Sequence, residues 1–449
     1  MGDHVALSAA SDLSVSLDER EAARLDPLID RVKAGLVDDA ARPVIDVVLV
    51  EAGNDDPRAE GVESAAPHDV SPWVWRPSRL VPNTQGPLAG QRLAVKDIMA
   101  VAGRPVRCGS AVRADAPIEA ASAPVVDSLL SAGAHLVGTT KLHEFAFGVT
   151  GINAVDGTPA NAVDGDRIPG GSSSGAAVAV ATHVADIAIG TDTGGSVRGP
   201  ASLNGVVGFK PTRGLLSTTG VFPLSPTLDH VGLFTRDARV LRKTTRALGI
   251  ISSTEPRRPR RVGVARAALD AASEPVRAVI EAVLSALSRT GVELTNIEWP
   301  SGEKVFAATT AIMFSEATHI HRPTLATRSQ SYGPDVLGRL VQGAAFDVVE
   351  YHAARRMQRR LTAQCLEFFH QVDVVIGPTT PVFAPLLSEA ADPAVAATIV
   401  ANTRLANLTG LPAVSVPVPG ASLPIGLQIE GATDAAVLDA AVSFQAVFG

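Results

Sequence analysis

Two serine- and glycine-rich knots carry the residues most able to do chemistry. The first is Gly170-Gly171-Ser172-Ser173-Ser174-Gly175, and the second runs from Gly190 through Thr191, Asp192, Thr193, Gly194, Gly195, Ser196 and Val197 to Arg198. A serine hydroxyl is a nucleophile once a base is within reach. Glycine permits backbone geometry closed to other residues, and successive N–H groups in such turns can converge on a negative oxygen. Two knots of this kind, the second flanked by Asp192 and Arg198, are more than connecting loops.

Between the knots, Ala176–Thr182 is small and helix-compatible and Ala185–Ile189 reads as a short buried strand, so both knots can return to one end of a helix–strand unit. In the first knot Gly171-Ser172-Ser173-Ser174-Gly175 fits the nucleophile elbow G-x-S-x-G, with Ser173 as nucleophile. That elbow needs a strand running into it, and the residues ahead of it are polar and broken by Pro169. The alternative nucleophile is Ser196, in a turn whose amides could face a developing oxyanion. His143, His183 and His230 are not placed by any pattern as its base. A serine–lysine pairing is an established variant of triad logic. Lys96 follows the short apolar strand Leu93–Val95, and burial there would lower its pKa and free a neutral amine.

These residues closely resemble the amidase signature family. The resemblance rests on GPLAGQRLAVKD, GGSSSG, GTDTGGSVRGPAS and GFKPTRG, with 24 residues between Ser172 and Ser196. It extends to FSEATHIHRP (Phe314–Pro323), DVVIGPTTPV (Asp373–Val382), NLTGLPAVSVP and LPIGLQIEG, and so covers Gly86 to the C-terminus. It implies a catalytic triad in which Ser196 attacks a carbonyl, Ser172, preceded by a cis peptide bond, relays the proton, and a neutral Lys96 is the base. It further implies an oxyanion hole from the backbone amides of Thr193, Gly194, Gly195 and Ser196, and supporting roles for Ser173, Asp192 and Arg198. The Phe145–Gly151 loop, with Phe145, Ala146 and Gly148, is expected by position to line the acyl pocket. Ser174-Gly175 stands where many members have Gly-Gly. The implied activity is hydrolysis of linear amides through an acyl-serine, with no metal or cofactor. Carbamate, urethane or allophanate-type hydrolysis is an alternative, although the additional C-terminal domain of allophanate-type members is not expected here. The glutaminase subunit of a tRNA-dependent amidotransferase is another.

The remaining elements set the frame. The 449 residues are 46% hydrophobic and 19% charged, a globular composition with a core of Ala, Val, Leu and Ile. A net charge of −7 argues against a general nucleic-acid binder. Cys108 and Cys365, far apart, suggest neither disulfide framework nor zinc site. With no signal peptide and no bilayer-length apolar run, a cytoplasmic monomer or homodimer acting on a small amide or carbamate is expected, without nucleic acid or membrane. Strand-like and helix-like segments alternate: Ala123–Ser131 and Ala435–Val447 as helices, Ala134–Val137, Val292–Trp299, Val372–Ile376, Val414–Val418 and Ile425–Ile429 as strands. A helix from Ser273 and another over Ala353–Phe369 join them. The expected fold is α/β, one large mixed sheet between helices, with residues 86–449 as the catalytic unit. Residues 1–85 are expected to hold a helix capped by Ser16 and Glu19, a strand at Val44–Val50, and a surface excursion over Glu51–Gly86. Trp73 and Trp75 would pin that excursion to the body. His143 and Glu144, adjacent and so divergent on a helix, are expected to be structural.

Overall fold

The computed structural model describes residues 61–63 and 70–448. The expected helix at Ser16–Glu19 and strand at Val44–Val50 lie outside the described residues.

Every described strand joins one sheet. In chain order these are β1 (Gly61–Glu63), β2 (Trp73–Pro77), β3 (Arg92–Lys96), β4 (His135–Thr140), β5 (Ile187–Asp192), β6 (Val207–Lys210), β7 (His230–Thr235), β8 (Arg261–Ala265), β9 (Glu293–Ile297), β10 (Val374–Pro378), β11 (Ala413–Pro417) and β12 (Gly426–Glu430). The spatial order is β1-β2-β4-β3-β5-β7-β6-β11-β12-β10-β8-β9. The sheet is mixed: β3 runs parallel to β4 and β5, while β5–β7, β7–β6, β6–β11 and β11–β12 are antiparallel. Strands β5, β6, β7, β10 and β12 are buried at every residue, because helices cover both faces. Their sequences accordingly show no inward–outward alternation, and buried polar residues such as Lys210, His230, Gln428 and Glu430 stand among the apolar ones. Strand β9 is an edge, and none of its residues is fully buried.

The helix–strand unit between the knots forms as its sequence dictates. Helix Ser174–Ala181 is buried through Val180, with only small and β-branched side chains. It lies so close to its neighbours that a Cβ on Gly175 would come within 2.4 Å of the Pro72 carbonyl oxygen and 2.7 Å of the Lys141 nitrogen. The other expected helices and strands appear within a few residues of their sequence limits, among them Glu274–Ser288, Val348–Phe368 and Asp434–Phe448. Phe314–Pro323 falls inside one long helix, Glu303–Arg328.

One expectation is overturned. Glu51–Gly86 is not only a surface excursion, since it supplies β1 and β2, and β2 pairs with β4. The sheet therefore crosses the expected boundary at Gly86. Trp73, Val74 and Trp75 are buried strand residues. Their bulk and β-preference outweigh the surrounding Pro, Asp and Ser.

Candidate active site

The chemistry gathers at the ends of β3 and β5. These parallel neighbours deliver Lys96 as the last residue of one, and Thr191 and Asp192 as the last two of the other. Lys96 is fully buried. Its Nζ lies 2.7 Å from Ser172 Oγ and 2.8 Å from Thr191 Oγ1. Among the described residues no carboxylate pairs with it. Burial lowers its pKa to about 7, with the charges of Asp192 and Asp229 pulling the other way. The amine is therefore substantially neutral near neutral pH.

The Gly171–Ser172 peptide bond is cis. Ser173 N–H donates to the Ser196 carbonyl oxygen at 3.3 Å, and its hydroxyl donates to the Thr191 carbonyl oxygen at 3.2 Å. The two knots are thus tied through their main chains. Ser196 itself lines a cavity of about 510 Å³, together with Thr193 and Gly194.

The Asp192 carboxylate organises the second knot. It accepts from the backbone N–H groups of Gly195 at 2.9 Å and Val197 at 3.1 Å. Arg198 grips it with two nitrogens, at 3.0 and 2.9 Å, and both side chains are fully buried. Burial alone would raise the carboxyl, but the Arg198 charge overrides it and holds the group well below the ordinary range. Arg198 also donates to Gln428 Oε1 at 2.9 Å and Asn407 Oδ1 at 2.7 Å, fixing the knot to β12 and to helix Arg404–Thr409. Because Asp192 occupies the Gly195 N–H, that amide is not open to a ligand, contrary to expectation. The amides of Thr193, Gly194 and Ser196 make no hydrogen bond among the described residues.

Sequence reasoning missed three contributors. Thr191 is the second partner of the Lys96 amine. Asp229 accepts from Thr193 Oγ1 at 2.7 Å and from the N–H groups of Leu224 and Ser225, both at 3.0 Å, anchoring the turn from below. Thr403 donates to the Gly194 carbonyl oxygen at 2.7 Å. Thr191 was readable as the residue beside Asp192, but the other two come from segments remote from the knots.

The pocket expectation is half corrected. Ala146 and Gly148 line the cavity, and Phe145 does not. Phe145 and Ala146 both take left-handed backbone angles, φ 50° and 58°. This turns the Phe145 ring into a cluster with His321 (4.4 Å between centroids), Phe222 (5.4 Å) and Tyr332 (5.5 Å), while Phe147 faces the cavity instead. His143 and Glu144 also line the cavity, as braces: His143 Nε2 is 2.8 Å from Asp335 Oδ2, and Glu144 accepts from Ser110 Oγ and from the Gly333 N–H. Burial raises the Glu144 carboxyl to about 7.

A buried amine beside one hydroxyl, with a second hydroxyl on the cavity wall, on one mixed sheet between helices, is the arrangement that the resemblance to the amidase signature family implies. The Amidase family description matches residues 77–437, and the chain belongs to that family. Among curated relatives, it is 35% identical over 397 residues to a Glutamyl-tRNA(Gln) amidotransferase subunit of Halobacterium salinarum, covering 77% of this chain and 92% of that protein. The same subunit from Deinococcus radiodurans is 33% identical over 76% of this chain and 80% of its own length. Among solved structures, an amidase superposes with TM-score 0.75 at 34% identity, over 82% of this chain and 86% of that one. An allophanate hydrolase of Kluyveromyces lactis superposes with TM-score 0.71 at 25% identity, over 80% of this chain and 62% of that one.

Proposed function

We propose that the chain hydrolyses a small linear amide through an acyl-Ser196 intermediate. The observation that carries this reading is the Lys96 amine, buried, free of any carboxylate partner among the described residues and 2.7 Å from Ser172 Oγ. Ser196 Oγ bonds to the substrate carbonyl carbon. Its proton passes to Ser172 Oγ, whose own proton passes to Lys96 Nζ. The carbonyl oxygen becomes an oxyanion facing the Thr193, Gly194 and Ser196 amides, each such donor lowering the barrier by about 3 kcal/mol. Collapse breaks the C–N bond, and the proton on Lys96 returns through Ser172 to the leaving nitrogen. Water then repeats the sequence on the ester, releasing the acid and restoring the three side chains. Ser173, Asp192 and Arg198 hold the knots and do not touch substrate.

Intact mass after incubation with a fluorophosphonate tests the nucleophile. One adduct, located on Ser196 and missing from Ser196→Ala, is expected. Labelling elsewhere, or amide turnover by Ser196→Ala, would sink the proposal.

A second reading is favoured by the relatives: glutamine as the amide, with this chain as the glutaminase subunit of an amidotransferase. Glutamine hydrolysis by the purified chain and co-purification of a partner subunit would support it. Carbamate or allophanate cleavage is separated from both by assaying those substrates beside simple amides.

A further inference from the structure

The cavity holds two arginines, and they are not alike. Arg339 donates to the Phe147 carbonyl oxygen and to Asp335 Oδ2, the latter at 3.0 Å. Arg404, at the start of helix Arg404–Thr409, has no carboxylate partner among the described residues. One of its nitrogens donates to Thr310 Oγ1 at 3.1 Å, and its guanidinium lies over the Phe306 ring, 3.9 Å from the centroid. A guanidinium carries five N–H donors, and among the described residues the rest of the fork makes no hydrogen bond. Burial, with the nearby Arg339 charge, lowers its pKa to about 9, which leaves it charged at neutral pH. A half-buried cation with no counter-charge among the described residues favours a ligand that supplies one.

Its place is specific. The preceding residue, Thr403, is bonded to Gly194, and a Cβ built on Gly194 would lie 4.0 Å from Arg404 Cγ. The aliphatic stem of Arg404 therefore packs beside the turn that would receive the reacting carbonyl, and its charge lies further out on the cavity wall, over Phe306 and beside Thr310. The carboxylates on the same wall are engaged. Asp335 is shared by His143 and Arg339, Glu144 by Ser110 and Gly333, and Asp392, at the exposed rim, caps a helix through the Ala394 N–H at 2.8 Å.

We infer that Arg404 is a specificity residue, and that the cavity takes a short carboxamide bearing one anionic group a few bonds from the scissile carbonyl and no ammonium. This deepens the amide-hydrolase reading and rests on it. It also separates that reading from glutamine, whose α-ammonium would meet two guanidinium groups, with Asp335 already paired to Arg339, the Glu144 carboxyl raised by burial and Asp392 out at the exposed rim.

Ammonia release from succinamate, butyramide and glutamine tests it. With the wild-type chain, kcat/KM for succinamate is expected to exceed that for butyramide by about 100-fold, and that for glutamine clearly, as a charge pair formed inside the cavity requires. Arg404→Met should cut the succinamate-to-butyramide ratio by about 100-fold, chiefly through KM, and Arg404→Lys should restore part of it. A wild-type ratio near one, glutamine as the better substrate, or a parallel fall on both amides in Arg404→Met would overturn the inference, and the wild-type ratio needs no variant to fold. Turnover by Ser196→Ala would sink the acyl-enzyme reading alone. A ratio near one with Ser196→Ala inactive would sink only the role of Arg404.

Discussion

Lys96 and Lys210 are both fully buried, both end a strand of the same sheet, and both have pKa values pushed down by burial. They differ in what they touch. Lys96 faces two hydroxyls, Ser172 and Thr191, beside the cavity. Lys210 donates to the Pro211 carbonyl oxygen at 3.0 Å, an acceptor with no proton to give. A depressed amine is thus not a base until a protic group stands on its lone pair. Burial supplies the protonation state, and the neighbouring side chain supplies the use.

The largest effect that would break this contrast is on turnover. Lys96→Met should lower kcat/KM by about 10³- to 10⁴-fold, the upper range for losing a general base, while the far-ultraviolet spectrum is retained. Wild-type-like rates would end the comparison at once. Next in size is the scaffold both lysines share. Asp192→Asn leaves Arg198 buried without its charge partner and should cost about 3–5 kcal/mol in denaturant unfolding. A loss below about 1 kcal/mol would mean that the knot is held some other way.

The pH dependence is smaller and distinguishes the two amines further. Only unprotonated Lys96 can accept a proton, so kcat/KM should rise about tenfold per pH unit below 7 and level off above it. Stability carries the matching sign. In the unfolded chain a lysine titrates at about 10.4. Between about 7 and that value the folded chain holds Lys96 neutral while the unfolded chain binds its proton, so stability rises with pH there. Lys210 contributes the same sign, because its folded pKa is also depressed. Lys96→Met and Lys210→Met should each flatten that slope by about 1.4 kcal/mol per pH unit, yet only the first should abolish turnover. Lys210→Met with kcat unchanged within about threefold is the sharpest form of the contrast. The smallest effect belongs to Thr191→Val, which removes one of the two hydroxyls on Lys96 and about 1 kcal/mol with it. It should shift the rising limb of the pH–rate profile. An unmoved limb would show that Ser172 alone positions the amine.

How much of this was legible in the sequence follows the same division between local and remote causes. Lys96, Ser172 and Ser196 could be read because strand ends and glycine turns are written in consecutive residues. The helix and strand between the knots were readable for that reason too. Strands β6 and β7 were not, since Phe209-Lys210-Pro211 and Asp229-His230 interrupt their apolar runs, and only burial between two helical layers makes them strands. Trp73–Pro77 was hidden by its polar surroundings. Phe145 reads as a pocket residue because nothing in Phe-Ala-Phe announces the two consecutive left-handed residues that reverse its side chain. Arg198 and Arg404 look alike on paper. Arg198 is held by the Asp192 carboxylate and by Gln428 and Asn407, more than two hundred residues away, whereas among the described residues no carboxylate pairs with Arg404.

The close packing at Gly175 has a practical consequence for redesign. With Pro72 and Lys141 pressed against its Cα, the rear of the site has no slack, and libraries randomised there should return mostly inactive clones. The opposite side of the cavity is built from Phe306, Thr310, Met313 and Phe314 on a single long helix, where shape is set by interchangeable side chains and not by main chain. Efforts to retrain the enzyme on bulkier molecules belong on that wall.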